Sequence, residues 1–452
     1  MSEKYIVSEN ALSAIETLNS AGFEAYIVGG AVRDFVMGIK PHDFDIATSA
    51  LPSETEKVFD GFKLIETGMK HGTVTVLIDG EPLEITTFRI DGNYTDMRRP
   101  DSVSFTDDLK NDLSRRDFTC NALAYHPQKG IIDYFDGVAN IRNRIIKCVG
   151  EPDKRFGEDA LRIMRALRFS SVLGFEIDKE TSDSIHRNRG LLNNISKERI
   201  FTELCKLLEG NDVYRVLDDY SDIVFTIMPE LESMYKLDQQ NPAHRYDVWH
   251  HSLHAVDNIG PDAELRLAML FHDSGKPFVK TVDENGIGHF YGHAEYSVEI
   301  ARRILGYMKT SNRLLKHVCD LVEYHGIMPE KMSARTFRKY IGLLGEATIK
   351  ELFEVREADV RALDSFLTEK FLSENENAKE FFREITENEK CFCLKDLAVN
   401  GNDLIEIGFS EDSSLGKALS SLLDEVMDNK LDNEKNALLK RAKEFLDDNR
   451  NG

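Results

Sequence analysis

The hydrophobic period of this chain changes near Glu158, and that change limits the folds open to it. Before about residue 150, short β-branched runs alternate with short helical stretches. From Glu158 onward, apolar residues recur every three or four positions almost to the end. The expectation is an α+β protein, with an N-terminal mixed-sheet domain followed by an all-helical remainder. At 452 residues the chain is too long for one ordinary core, so about two to four domains are expected. Pro229, Pro242 and Pro261 punctuate the middle and suggest a boundary near residues 235–245.

Within the first region the pattern predicts a helix over Asn10–Ser20, a strand over Tyr26–Val28 and a short helix after Gly30. "DFDIAT" alternates as a strand does, and "PSETEKVF" opens a helix with Ser53 and Glu56 spaced as a capping box. "GTVTVLIDGEPLEITTFRI" reads as a hairpin turning at Asp79-Gly80. No apolar run approaches the ~18–20 residues that a membrane helix needs. "MSEKYIVSEN" lacks the basic start and apolar core of a secretory signal. The six cysteines are scattered, and Cys391 and Cys393 stand too close for a zinc knuckle. A reduced cytoplasmic protein with no membrane partner is expected.

A net charge of −22 argues against nucleic acid only if charge is averaged over the chain. Local field decides binding. Residues 140–170 hold eight Arg or Lys against four acids, and Arg98-Arg99 and Arg115-Arg116 add basic doublets upstream. A candidate basic surface therefore lies in the first 170 residues.

The chemistry concentrates in "GGAVRDFVMGIKPHDFDIATS". Residues i and i+2 on a strand point the same way, so Asp43 and Asp45 present two carboxylates to one site. Such a pair can hold two Mg²⁺ ions about 3.5–4 Å apart, the arrangement used for in-line phosphoryl transfer. Gly29 and Gly30 leave backbone N–H groups free to close on phosphates at a helix start. Arg33 lies one turn in, able to reach a phosphate. Glu84, on the second hairpin strand, is a candidate third carboxylate.

In order and spacing, "YIVGGAVRD…HDFDIAT", "DGNYTDMRRPDSVSF", "LSRRDFTCNALAY", "DYFDG…IRNRIIKCVG" and "RFGEDALRIMRALRF" resemble the bacterial tRNA nucleotidyltransferases, the CCA-adding enzymes of the polymerase-β-like superfamily with eukaryotic-type motifs. The resemblance is dense over residues 20–230 and weaker near the end. It implies metal binding by Asp43 and Asp45, and contacts to the nucleotide's sugar and phosphates from Arg116, Asp117 and Asn121. Cys120 stands where that family commonly has Ile, a packing change. "DGNYTDMRRP" matches the loop whose absence marks CC-only enzymes. The implied partners are tRNA, ATP and CTP, and the implied reaction is template-independent addition of C, C and A. A-only addition, poly(A) polymerisation, and a hydrolase using its head for RNA binding are the alternatives.

Base choice falls to "EDALR". Glu158 and Arg162 are i,i+4 and Asp159 and Arg162 are i,i+3, so on one helix all three share a face. Cytosine and adenine both show an amine donor beside a ring-nitrogen acceptor. A carboxylate and a guanidinium complement that order, and uracil and guanine present the reverse. Asp159 and Arg162 are the expected reading pair, with Glu158 as their orienter.

Farther on, seven of the thirteen histidines fall between positions 244 and 293. "HRYDVWHHSLHAVD", "LAMLFHDSGK", "GHAEYS", "VEYHG" and "READVRAL" supply His251, His272-Asp273, His293, His325 and Asp359, a mixed imidazole and carboxylate set suited to a transition metal. The order resembles the HD phosphohydrolase superfamily. That resemblance implies His251, His272, Asp273 and Asp359 as ligands for Mn, Ni or Co, with Lys276 steadying a phosphate. The expected domains are a nucleotidyltransferase head (1–150), a base-reading, RNA-binding helical neck (151–240), an HD domain (241–370) and a tRNA-binding helical tail (371–452).

Overall fold

A computed structural model describes residues 7–65, 72–92, 102–327, 333–363, 365–388, 392–428 and 430–450. The chain divides into two compact units, Met1–Pro229 and Glu230–Gly452. Arg98, Arg99, Cys391 and most of "DGNYTDMRRP" lie outside the described residues.

The first unit opens with α1 (Glu9–Ser20), capped by the Ser8 hydroxyl and burying Ala11, Ala14, Ile15 and Leu18 along one face. The strands are β1 (Ala25–Val28), β2 (Asp45–Thr48), β3 (Lys63–Ile65), β4 (Thr73–Ile78), β5 (Glu81–Thr87), β6 (Arg89–Asp91), β7 (Val103–Phe105), β8 (Leu123–His126) and β9 (Gly130–Asp133). Seven of them form one sheet in the order β3-β4-β5-β2-β1-β8-β9. Only the β2–β5 pairing in that sheet is parallel. β1 is buried at every position, because elements cover both faces of the central sheet. Tyr26, Val28, Ala47, Phe88, Leu113 and Ala124 form one core on it. β4 and β5 turn through Asp79 and Gly80 with φ of 48° and 83°, the two left-handed residues of a tight hairpin.

Two local expectations are corrected. β2 starts at Asp45 with Ile46, Ala47 and Thr48 all buried, so "DFDIAT" does not alternate and Asp43 sits in the loop before the strand. The helix α3 (Pro52–Val58) starts at its proline, and Glu54 reaches back to the Leu51 N–H at 2.8 Å. Pro52 pins the start one residue before Ser53, so Ser53 and Glu56 form no capping box.

α2 (Gly30–Met37) follows β1 directly, and α4 (Leu109–Ser114) and α5 (Gly137–Arg142) follow β7 and β9. The first unit continues with α6 (Pro152–Glu158), α7 (Leu161–Leu173), α8 (Lys179–Asn188), α9 (Lys197–Leu208), α10 (Val213–Asp219) and α11 (Ser221–Ile227). The second unit is helical, with α12 (Val248–Asn258), α13 (Ala263–Phe271), α14 (Lys276–Val279), α15 (His293–Tyr307), α16 (Asn312–Tyr324), α17 (Ala334–Leu344) and α18 (Glu346–Arg361). Its C-terminal helices gather on Leu404, Leu422, Leu438 and Ala442. No helix among the described residues is long and apolar enough to cross a membrane.

Candidate active site and metal cluster

Sheet register assembles the first site. Val28 pairs with Asp45 and Asp45 pairs with Glu84, so the end of β1, the start of β2 and the middle of β5 stand side by side. The chain turns at Gly29 with φ of 74°, a conformation that favours glycine. A Cβ there would also stand 2.9 Å from Arg116 Nη1. The backbone conformation is what demands glycine, and any side chain there would also displace the Arg116 guanidinium. Asp136 takes φ of 59° before α5, and a Cβ on Gly137 would meet the Thr119 carbonyl at 2.3 Å, which explains the Asp-Gly pair there.

A cavity of about 550 Å³ opens at this end of the sheet. Gly29, Gly30, Arg33, Asp43, Asp45, Arg116, Asp117, Asn121, Asp159 and Arg162 all line it, as the sequence anticipates. Arg115, Arg165, Arg168 and Phe169 line it too. Glu84 stays in register with Asp45 without lining the cavity, and Glu158 stands behind Arg162.

Each arginine is held from behind. Arg33 donates to Asp34 and to Asn121 Oδ1, Arg115 and Arg116 meet Asp112, and Arg168 meets Glu203 at 2.9 Å. Arg165 grips Asp117 at 2.6 Å. Burial would raise the Asp117 carboxyl, but Arg165, Asn121 and the Phe118 N–H outweigh it and hold it at about 2. Asp117 therefore acts as the anchor of Arg165 and Asn121. Arg33, Arg165 and Arg168 also stack on the Phe169 ring, 5.6, 5.4 and 4.2 Å from its centroid. Asp45 goes the other way. Enclosure by the cavity wall, then Glu84 and Asp43, push its carboxyl up against the pull of Arg116. Cys120 is fully buried with its thiol pushed up to about 12 by burial, so it packs as an apolar side chain.

The base-reading triplet does not lie on one helix. α6 ends at Glu158, Asp159 has extended backbone, and α7 begins at Leu161. Asp159 Oδ1 accepts the Leu161 N–H, as a helix-start residue does, and Oδ2 meets Arg199 of α9 at 3.1 Å. Arg162 pairs with Glu158 at 2.8 Å and donates to the Arg155 and Arg115 carbonyls. Asp159 and Arg162 thus reach the same cavity from separate supports. Sequence reasoning missed Arg165, Arg168, Phe169, Arg199 and Glu203 as parts of the site. The arginines at 162, 165 and 168, threaded through a buried apolar helix, were the available signal.

Family models match this chain at residues 25–147 (poly A polymerase head domain), 174–233 (probable RNA and SrmB-binding site of polymerase A) and 283–442 (tRNA nucleotidyltransferase domain 2, putative). The CCA-adding enzyme of Latilactobacillus sakei is 35% identical over 96% of this chain and 97% of its own length. The chain belongs to the CCA-adding enzymes. A second member of that family, from Lacticaseibacillus paracasei, is 34% identical over 97% of this chain and 96% of its own. The crystal structure of the Bacillus stearothermophilus CCA-adding enzyme in complex with CTP matches with 30% identity, 98% coverage of both chains and a TM-score of 0.69.

The second unit of this CCA-adding enzyme holds another polar cluster, buried among helix ends. His251 lies in the first turn of α12, His272 and Asp273 follow α13, and Asp359 is in the last turn of α18. His251 Nε2 is 2.8 Å from Asp359 Oδ1 and 3.5 Å from Asp273 Oδ2. His272 Nε2 is 3.2 Å from Asp273 Oδ2 and 3.5 Å from Asp359 Oδ1. The four residues expected from the sequence meet at one point. Burial would lower His272, but Asp273 and Asp359 lift it to about 10, and both carboxyls fall well below their usual range. His325 goes down to about 4 through burial and the neighbouring imidazoles. Lys276 is buried against Asp273 at 2.6 Å and Gln239 at 2.8 Å. That tether corrects its expected place as a phosphate ligand.

Proposed function

We infer that this chain adds C, C and A from CTP and ATP to the 3′ end of tRNA without a nucleic-acid template, releasing pyrophosphate. The observation that carries the reading is the single cavity on which the glycine turn, the Asp43/Asp45 pair, anchored arginines and the Asp159/Arg162 pair converge. Likeness over nearly the whole chain to CCA-adding enzymes weighs against A-only addition and poly(A) polymerisation.

In this reading the Gly30 backbone and the Arg33 and Arg116 guanidinium groups bind the triphosphate; the Gly29 N–H, expected to do so too, is instead given to the Leu123 carbonyl at 3.2 Å. Asn121, held by Asp117 and Arg33, steadies the sugar. Asp43 and Asp45 line one cavity with Glu84 in register beside Asp45, a set of hard oxygen donors that fits Mg²⁺. Magnesium held by Asp43 and Asp45, with Glu84 beside them, supplies Lewis-acid polarisation and charge neutralisation when bound. The Asp159 carboxylate accepts the exocyclic amine of C or A. Among the described residues, three of the Arg162 donations go to Glu158, Arg155 and Arg115, which leaves N–H groups for the ring nitrogen. Fixed donors and acceptors replace a template strand. Residues 1–150 then serve as head, 151–240 as neck and 371–452 as a tRNA-binding tail, in a reduced cytoplasmic protein.

The test is incubation with tRNAs ending at the discriminator base, at C and at CC, with each NTP separately. The expected result is C, then C, then A, with UTP and GTP unused. Addition of A alone, or of long A tracts, contradicts it.

The histidine cluster supports a second activity, an HD-type phosphohydrolase over residues 241–370. His251, His272, Asp273 and Asp359 would hold Mn²⁺, Ni²⁺ or Co²⁺. His272 Nε2 faces Asp273 Oδ2 at 3.2 Å and Asp359 Oδ1 at 3.5 Å, a convergence of imidazole and carboxylates that a metal ion would bridge. Hydrolysis of 2′,3′-cyclic phosphates or simple diesters, abolished by His272→Ala with Asp273→Ala, is the expected outcome. A wild type that binds no transition metal and cleaves neither substrate contradicts it.

A further inference from the structure

One aromatic ring sits among the cations of the nucleotide cavity. Phe169 lines that cavity from α7, four residues after Arg165 and one after Arg168. Arg33 comes to the same ring from the first turn of α2, just past the Gly29 turn. The Cζ atoms of Arg33, Arg165 and Arg168 stand 5.6, 5.4 and 4.2 Å from the ring centroid. All three lie within the ~6 Å over which a guanidinium is drawn to the negative face of an aromatic ring. The ring is itself fixed. Phe169 is 9% exposed and meets the fully buried Phe118 edge to face, with 5.9 Å between centroids.

Three guanidinium groups gathered on one ring repel one another. Burial pulls the Arg168 guanidinium below its ordinary range; Glu203 opposes the shift, and Arg165 and Arg33 add to it. Three acids answer the three charges: Asp34 meets Arg33, Asp117 meets Arg165, and Glu203 meets Arg168. A carboxylate, however, uses up donors. Asp34 takes the Nε and Nη2 groups of Arg33, and Asp117 takes the same two groups of Arg165. A ring face attracts the charge without accepting any of the five N–H donors that lie in the guanidinium plane. The ring can therefore hold the cations close together while N–H groups remain for an anion in the cavity. Its place in the fold adds to this. Phe169 belongs to the helix whose first turn carries Arg162, and Arg33 belongs to the helix that opens at Gly30. One ring thus joins the base-reading end of the cavity to its phosphate end.

We propose that Phe169 is a positioning residue for the triphosphate: its ring seats Arg33, Arg165 and Arg168 together, so that they meet the phosphate chain as one prearranged set. The proposal rests on the nucleotidyltransferase reading and adds to it a residue that acts through its arginines. A set assembled before the ligand arrives needs less ordering when it binds. The ring serves the anionic end of the nucleotide alone, so CTP and ATP depend on it equally. Base choice stays with Asp159 and Arg162.

The test changes the charge on the ring face while keeping the ring's shape. The full-length chain is prepared with mono-, di- and trifluorinated phenylalanine at position 169, beside the wild type and Phe169→Leu. Each fluorine draws electron density from the ring face, so the attraction for a cation falls step by step at nearly constant volume. KM and kcat for CTP and ATP are measured on tRNAs lacking the corresponding nucleotide, and binding of inorganic tripolyphosphate with Mg²⁺ is measured by calorimetry. The expected result is a KM that climbs with each fluorine and stands about tenfold higher in Phe169→Leu for both nucleotides, with kcat changed less than about threefold. Tripolyphosphate, which has no base, should weaken by a similar factor, and the ranking of the four NTPs should not change. Leucine leaves a gap beside Phe118 and the fluorinated rings do not, so the fluorinated series decides, with thermal melts confirming the fold of each variant. A flat series in an enzyme that adds C, C and A reduces Phe169 to packing and overturns the proposal, leaving the functional reading intact. A wild type that adds no nucleotide overturns that reading, and tripolyphosphate binding that is also flat across the series overturns both.

Discussion

The two polar sites of this chain solve opposite electrostatic problems. In the first unit, an open cavity gathers six arginines, and each has an acidic partner: Asp34, Asp112, Glu158, Asp117 and Glu203 hold them in place from behind. The guanidinium groups are prearranged, so an anionic ligand need not order them. In the second unit, a buried carboxylate (Asp273) and a partly exposed one (Asp359) meet imidazoles whose Nδ1 atoms turn outward to backbone carbonyls. On the proposed reading, the first site takes a ligand that brings negative charge, and the second one that brings positive charge. A formal charge of −22 conceals this division, because partner choice depends on where the charges converge.

If the comparison holds, damage to one site should leave the other working. The largest effect is expected for Asp45→Ala. Metal polarisation contributes several kcal/mol, so addition should fall by about three orders of magnitude while tRNA binding and the fold persist. Primer-extension rates with Mg²⁺ and a tRNA-binding titration measure this, and near wild-type addition contradicts the assignment.

Asp117 tests the anchoring. Its folded carboxyl, at about 2, lies below the ordinary value of 3.8. The depressed carboxyl therefore contributes stability above pH 4 and loses it as the pH falls through 2. Asp117→Asn should cost about 2 kcal/mol at pH 7 and almost nothing near pH 2, read from denaturant melts across that range. An equal cost at both pH values would mean that Arg165 is not the cause. Gly29→Ala should cost about 1–2 kcal/mol in backbone strain and displace Arg116, so the KM for NTP rises before thermal stability changes appreciably. Smallest of all, His272→Ala with Asp273→Ala should alter addition less than twofold when assayed below its melting temperature. A large loss of addition in that variant would break the division between the sites.

The order of elements and most of the first site were legible because their residues come in contiguous motifs. Gly29, Asp43 and Asp45 lie within seventeen residues, and the sheet needs only to place β1 beside β2. The break at Asp159 was not legible. "EDALR" contains neither Gly nor Pro, and what halts the helix includes Arg199, forty residues away, gripping the Asp159 carboxylate. Glu84 shows the same limit, since its place beside Asp45 depends on a parallel pairing that alternation cannot specify. Phe169 carries no mark in the sequence of its service to three arginines, because Arg33 reaches its ring from a distant helix only in the folded chain. The histidine cluster was legible in composition alone. The carbonyls that hold its rings are backbone atoms and leave no mark on the sequence.

The claim that most defines this molecule is that Asp159 and Arg162 choose the base. The direct measurement is single-nucleotide incorporation on tRNA ending in CC, comparing kcat/KM for all four NTPs in the wild type, Asp159→Ala and Arg162→Ala. Each pairing bond involves a charged partner and contributes roughly 1.5–3 kcal/mol. Either variant should therefore lose about ten- to a hundredfold on ATP and much less on UTP and GTP, flattening the wild-type ranking. An equal loss on every nucleotide with the ranking unchanged would make the two residues structural and contradict base reading by the protein.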